Sequence, residues 1–161
     1  MKIGIIIIFH NNENEIDTEL LIEQMKQIIN IELCLVNNNS RDNTYDLLND
    51  VKEECPNVSV VNVRKFKSDM SAVKAGARFM FNEFDLKFLG YASTNMMNLK
   101  QHGVNGLIKV ITDNQDAILN YKTKSIKKQQ TLFQSLFSLL DYLKKLNQHN
   151  NFIKLQFQTN L

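Results

Sequence analysis

Asn37, Asn38, Asn39, Ser40, Arg41, Asp42, Asn43 and Thr44 follow directly on the apolar run from Leu33 to Val36. Each Asn amide offers both a donor and an acceptor, which is the equipment for reading the edge of a polar ligand. The same amides build turns by bonding to nearby backbone, so Asn38 reads as a ligand contact and as a turn former. Asp42 and Ser40 read as helix caps, because either oxygen can accept from the free amides of a first helical turn. A second polar stretch, His10-Asn11-Asn12-Glu13-Asn14, follows the apolar residues 3–9, and a basic loop occupies residues 64–68. Cys34 and Cys55 show no metal-site spacing, and Cys34, inside an apolar run, reads as a buried small hydrophobe.

An apolar run that stops at a polar turn and continues as a helix is the carboxyl end of a buried parallel strand. Ligands bind at that edge in open α/β sheets. The patterning predicts strands over residues 2–9, 32–37, 58–63 and 86–91, each rich in apolar residues and bounded by polar ones. A short fifth strand is expected over 117–121. Ile16, Leu20, Met25 and Ile28 recur at helical spacing. A second helix carries Leu47, Leu48 and Val51 and ends before Pro56. Met70, Val73, Ala77, Met80 and Phe84 share one face of a third helix running from about residue 69 to 82. A fourth helix falls within 95–111, around Gly103 and Gly106. Residues 131–146 read as a helix with Leu132, Leu136, Leu139, Leu143 and Leu146 in one stripe, and 152–157 as a strand or docking tail. Alternating strands and helices predict one three-layer α/β/α domain on a mostly parallel sheet, spanning 1–161, with 131–161 as a C-terminal amphipathic helix and tail. The loops at its carboxyl edge are then 10–14, 37–42, 64–68 and 92–95.

The chain has 161 residues, 43% hydrophobic and 22% charged, with a net charge of +2. That is the balance of an ordinary folded domain, and it implies no nucleic-acid partner. Residues 3–9 are too few to span a bilayer and lack the flanks of a signal peptide. Cysteine usage points to a reducing cytoplasm.

The four loops, in that order, resemble the GT-A fold of family 2 glycosyltransferases. Where that family's first strand ends P-x-Y-N-x-E, this chain has Ile8-Phe9-His10-Asn11-Asn12-Glu13. Where the second ends V-D-D-G-S-x-D-x-T, it has Val36-Asn37-Asn38-Asn39-Ser40-Arg41-Asp42-Asn43-Thr44. Ala72-Val73-Lys74-Ala75-Gly76 fits the family's A-x-N-x-G, with Gly76 read as permitting close helix packing rather than as touching ligand. Phe88-Leu89-Gly90-Tyr91-Ala92 stands at F-L-D-x-D. Residues 107–122 are similar to a segment of the polyprenyl-phosphate branch, the dolichol-phosphate-mannose-synthase type, in which an amphipathic helix follows near the membrane. The resemblance implies a nucleotide-sugar site built from Phe9, His10, Asn11, Glu13, Asn38, Lys74 and Lys122. His10 would stack on the ligand, or is a plain turn histidine.

The same resemblance marks two losses. Asn37 and Asn38 replace the family's base-contacting acids, and Gly90 and Ala92 replace the D-x-D pair that binds a divalent metal. Mg²⁺ and Mn²⁺ want hard oxygen donors, usually including a carboxylate. No divalent metal cofactor is expected, and Lys65, Lys67, Lys74 and Lys122 would offset phosphate charge in its place. Asp113 and Asp116 are the nearest acids for a general base, with Asp116 reading as structural. Lys122, Lys124, Lys127 and Lys128 read as a solvated face, or as contacts to diphosphate or lipid headgroups. The leucine stripe reads as core, as a seam for a homodimer or partner transferase through Leu132, Leu136, Leu139 and Leu143, or as a surface meeting the inner face of the membrane. Two functions follow from these readings. One is transfer of a sugar from a nucleotide to a glycan or lipid-phosphate acceptor; the other is an inactive relative that binds or scaffolds.

Overall fold

The computed structural model describes residues 2–94, 103–121 and 135–149. Its elements are β1 (Lys2–Phe9), a single 3-10 turn (Glu13–Glu15), α1 (Thr18–Lys26), β2 (Ile31–Asn38), α2 (Thr44–Glu54), β3 (Val58–Val63), α3 (Asp69–Glu83) and β4 (Leu86–Ser93). There follow α4 (Gly103–Asp113), α5 (Gln115–Leu119), β5 (Leu136–Ser138) and α6 (Leu139–His149).

Every residue of β1 from Ile3 to Phe9 is buried. A strand that is apolar on both faces must be covered on both faces, which makes it a central strand. Accordingly the five strands run in the order β3-β2-β1-β4-β5, and every pairing is parallel. From β1 the chain steps outward to β2 and β3, then returns past β1 to β4. Right-handed crossovers put helices that step in opposite directions on opposite faces. Leu21 and Met25 of α1 and Leu48 and Val51 of α2 join one core with Ile5, Ile7 and Leu35. Ala72, Val73, Ala77 and Met80 of α3 join the other with Ile6, Ile8 and Val36. Helices α4, α5 and α6 add Leu107, Ile111, Ile118, Leu139 and Leu143 to the first core. The result is the expected three-layer α/β arrangement, with α3, among the described residues, opposite the other helices.

Gly76 lets α3 sit directly on the sheet: a Cβ there would lie 2.9 Å from Val36 Cγ2. Met70, assigned from spacing to the buried face, is 43% exposed, because α3 docks through Ala72, Val73, Gly76, Ala77 and Met80 instead. Leu20 is likewise exposed, and Leu21 takes the core position.

Three expectations are corrected at the C-terminal side. Residues 115–119 form helix α5 rather than a strand. Residues 136–138 form strand β5 rather than the middle of a long helix, and α6 begins only at Leu139. Short apolar runs carry too little periodicity to separate the two states, and here the exposed flank of β4 decides by offering a ladder to Leu136, Phe137 and Ser138. Leu139 and Leu143 are fully buried in this chain's own core, which closes them to a second protein, and Leu136 is half-buried. Leu132, Lys122 and residues 152–157 lie outside the described residues. Among the described residues no helix is long and apolar enough to cross a membrane.

Gly90 also finds its explanation here. It pairs with Ile5 inside the sheet, and a Cβ at Gly90 would lie 3.0 Å from the Phe137 ring. That ring stacks on Tyr121 with centroids 3.8 Å apart. Gly90→Asp would press a carboxylate against this cluster, and an uncompensated buried charge costs about 3–5 kcal/mol. Urea unfolding of Gly90→Asp is expected to show a loss of that size, with no gain in Mn²⁺ affinity. A loss below about 1 kcal/mol would mean that the Phe137 seat can open.

Candidate functional site at the carboxyl edge of the sheet

The loops after β1, β2 and β3 meet at the carboxyl edge, beside the strand β1 at which the sheet order reverses. They are joined by side-chain-to-backbone hydrogen bonds. After β1, Asn11 and Asn12 are held by β2-loop hydroxyl groups: Asn11 N donates to Ser40 Oγ at 3.0 Å and Asn12 N to Thr44 Oγ1 at 2.7 Å. Glu13 N donates to Asp42 Oδ2 at 3.1 Å, and the Glu13 carboxylate accepts in return from Asn43 N at 2.7 Å. Asp42 Oδ1 accepts from Thr44 N at 3.0 Å, so Asp42 holds the first residue of α2 and the β1 loop together. Buried Asn12 accepts at Oδ1 from His10 N at 2.8 Å and from the Thr94 hydroxyl at 3.0 Å, which ties β1 to the end of β4. Asn11 and Asn39 have φ of 52°, the left-handed region that Asn tolerates better than most residues.

Asn38 joins the second loop to the third. Its side chain is fully buried, its Nδ2 donates to Lys67 O at 2.8 Å, and its Oδ1 accepts from Lys67 N at 3.0 Å. Asn37 is buried too, and its Nδ2 donates to Asn62 Oδ1 at 2.9 Å. The two residues at the family's base-contacting positions therefore face the protein. His10 sits on the same side of the sheet. Arg41 N can only donate, so the Asn11 oxygen faces it at 2.8 Å and the Asn11 NH₂ faces His10 Nε2 at 3.1 Å. Nε2 then accepts, and Nδ1 carries the proton that it donates to Asn38 O at 2.7 Å. These partners orient the ring, with Nδ1 as donor and Nε2 as acceptor. Its ring meets Phe66 with centroids 4.7 Å apart and planes tilted by 59°. Sequence reasoning treated residues 64–68 as a basic loop and passed over Phe66. The signal available was an aromatic residue flanked by Lys65 and Lys67 at a strand end.

The remaining candidates fall into place around this core. Phe9 is reassigned: it is fully buried and packs within the α1-side core, out of reach of any ligand at the edge. Glu13 and Asn11 brace the loops, and Lys74 is half-buried on α3. Arg41, Arg64, Lys65 and Lys67 are exposed on the edge loops. Strand β4 runs two residues further than expected, to Ser93, so Gly90 and Ala92 lie inside the sheet opposite Ile5 and Ile7. Ser93 pairs with Ile8, which leaves Thr94 as the edge residue level with Phe9. Whichever residues are matched to D-x-D, no Asp or Glu occurs between Asp85 and Asp113. Among the described residues no group of three metal-binding side chains converges. Asp113 is paired with Lys109 at 2.8 Å, and it lines, with Asp116, Ile29 and Asn30, a cavity at the opposite, amino-terminal edge of the sheet. Neither acid can reach a reaction at the carboxyl edge.

Burial works against the charge on Asp42, but hydrogen bonds from Thr44 and the Glu13 amide more than offset it and hold the carboxyl below its ordinary value of 3.8. A lowered carboxyl pKa contributes stability that is complete above the unfolded value and is lost as pH falls through the folded one. Asp42→Asn leaves one fewer acceptor and is expected to cost about 0.5–2 kcal/mol at neutral pH. Thermal melts of wild type and variant are expected to differ by a constant amount down to about pH 5 and to converge below 3.8. A gap that stays constant into strong acid would remove the carboxylate from the loop network.

The model of the family described as "Glycosyl transferase family 2" matches residues 4–84, half of the chain. That span carries β1, β2, β3 and α3 with their loops, and stops before the segment likened to the polyprenyl-phosphate branch. No match was found among curated proteins. Among solved structures, TarS from S. aureus is 14% identical with a TM-score of 0.45, covering 58% of this chain and 16% of that one. TarS residues 1–349 in complex with UDP-GlcNAc is 18% identical with a TM-score of 0.43, covering 58% and 26%. The mannosyltransferase PcManGT from Pyrobaculum calidifontis, in complex with GDP-Man and Mn²⁺, is 17% identical with a TM-score of 0.42, covering 49% and 24%. The matched part of this chain thus answers to about a quarter or less of the length of these proteins. With its loop order in place and half its length matched, the chain belongs to glycosyl transferase family 2.

Proposed function

We propose that this chain binds a nucleoside-diphosphate sugar at the carboxyl edge of β1, β2 and β3, for transfer of the sugar to a glycan or lipid-phosphate acceptor, and that it does so without a divalent metal. One observation supports this reading above the others. Three loops are locked into one wall at the sheet's switch point, and that wall exposes Arg41, Arg64, Lys65 and Lys67 while its own carboxylates, Glu13 and Asp42, are taken up by backbone amides. In such a transfer the acceptor oxygen bonds to the anomeric carbon, the bond from that carbon to the diphosphate breaks, and the leaving group carries away the electron pair. A metal commonly offsets the charge that develops there. Here that work falls to the ammonium and guanidinium groups, as point charges and forked donors.

A second reading, that the chain binds the nucleotide without turning it over, is favoured by a specific fact. Asp113 and Asp116, the nearest acids after β4, lie at the far edge of the sheet, so neither is placed to take the acceptor proton. The two readings share one binding site and differ only in turnover. A cytoplasmic setting fits both, since Cys34 and Cys55 are free and buried, and burial pushes the Cys34 thiol up to about 12.

Calorimetric titration with UDP, GDP and their sugar conjugates tests the site. Saturable binding is expected, unchanged by Mn²⁺ or by chelator. Lys65→Ala with Lys67→Ala is expected to weaken it by roughly tenfold or more, the worth of a lost charge-assisted hydrogen bond. Absence of binding at millimolar nucleotide, or binding that requires Mn²⁺, would overturn the proposal. Release of free nucleotide from the sugar conjugate in the presence of acceptor separates the transferase from the binding module.

A further inference from the structure

We infer that the site holds its nucleotide by stacking the base on Phe66 and does not select which base. This rests on the binding reading above and adds the specificity of that site. The two positions from which the family reads a base edge are closed here. Asn37 is 3% exposed and Asn38 is 0% exposed, the Asn38 amide is bound on both sides by the Lys67 peptide, and the Asn37 amide is bound to Asn62. A site discriminates strongly when buried polar groups would be left unpaired by the wrong ligand. The Asn38 amide is already paired at both ends within the protein, and the one unpartnered atom of the pair, Asn37 Oδ1, is buried where no base edge reaches it.

What the wall offers instead is a ring. Phe66 is 58% exposed, the most exposed aromatic among the described core and rim hydrophobics, although burial of a phenyl ring is strongly favoured in water. It is not loose. One neighbour, Lys67, is clamped at both N and O by Asn38, and the ring rests against the His10 imidazole, itself locked by Asn11 and Asn38. Lys65 and Lys67 stand on either side in sequence, both exposed, where a base stacked on the ring would bring its diphosphate among cations. Every base has a π face, so stacking on an aromatic side chain contributes affinity without reading sequence. The Asn38-to-Lys67 clamp thus does two things at once: it withdraws the edge reader and it fixes the stacking platform.

The test is calorimetry on the full chain with UDP, CDP, GDP and ADP, and with inorganic pyrophosphate as the probe that has charge and no base. The four nucleotides are expected to bind within about threefold of one another, and pyrophosphate roughly tenfold or more weaker. Phe66→Ala is expected to weaken all four by roughly tenfold and to leave pyrophosphate binding unchanged, which also shows that the variant is folded; Phe66→Tyr is expected to bind as wild type does. Preference for one base by more than about thirtyfold, or nucleotide affinity indifferent to Phe66→Ala, would overturn the inference while leaving the binding site itself standing. Failure of every nucleotide and of pyrophosphate to bind would remove the site, and the inference with it.

Discussion

Burial of β1 on both faces is the constraint from which the rest of the structure follows. Seven consecutive residues, Ile3 to Phe9, are buried. Fully burying one aliphatic side chain is worth about 1.5–3 kcal/mol, so exposing either face of this strand would forfeit much of the stability of a small domain. The strand must have neighbours on both sides and helices above and below. Parallel neighbours require crossovers, and crossovers of one hand send α1 and α2 to one face and α3 to the other. The loops after β1, β2 and β3 then have nowhere to go but the same edge. The site is a by-product of covering β1.

At that edge, polar groups brought together by the crossovers are satisfied chiefly by one another. The pairs Glu13–Asn43, Asp42–Thr44, Asn12–Thr94 and Asn38–Lys67 each link segments distant in sequence or close a helix start. This internal pairing separates residues that build the wall from those that face outward. Asn, Asp and Glu are drawn inward because a buried donor or acceptor without a partner costs more than a bond gains. Arg41, Arg64, Lys65 and Lys67 remain outside because their charges are cheapest in water. A wall of that composition is cationic without any metal, and the absence of acids between Asp85 and Asp113 keeps it so.

Much of this was legible from the chain alone. The runs at 2–9, 58–63 and 86–91 and the helix at about 69–82 carried their own periodicity, and the loop order that followed pointed to the family. The C-terminal side was not legible in the same way. Leu136 and Phe137 fit a helical stripe as well as they fit a strand, and only the open flank of β4, with Gly90 making room for Phe137, settled them as β5. Residues 117–119 failed for the same reason, since a short apolar run has no period of its own. Phe9 and Asn38 illustrate a different limit. Their positions at strand ends were read correctly, but the side of the sheet to which Phe9 points and the partner that Asn38 finds are long-range facts.

By itself, the sequence determined the parallel α/β architecture and the absence of any Asp or Glu between Asp85 and Asp113. Those are consequences of residue type and local period, which no folding can change. The tertiary structure alone decided that Asn37 and Asn38 turn inward, that Asp113 and Asp116 fall at the far edge, that Leu139 and Leu143 are core, and that Phe66 stands at the rim against His10. Each of those depends on which distant group competes for the same hydrogen bond or the same apolar surface, and that competition exists only once the chain has closed on itself.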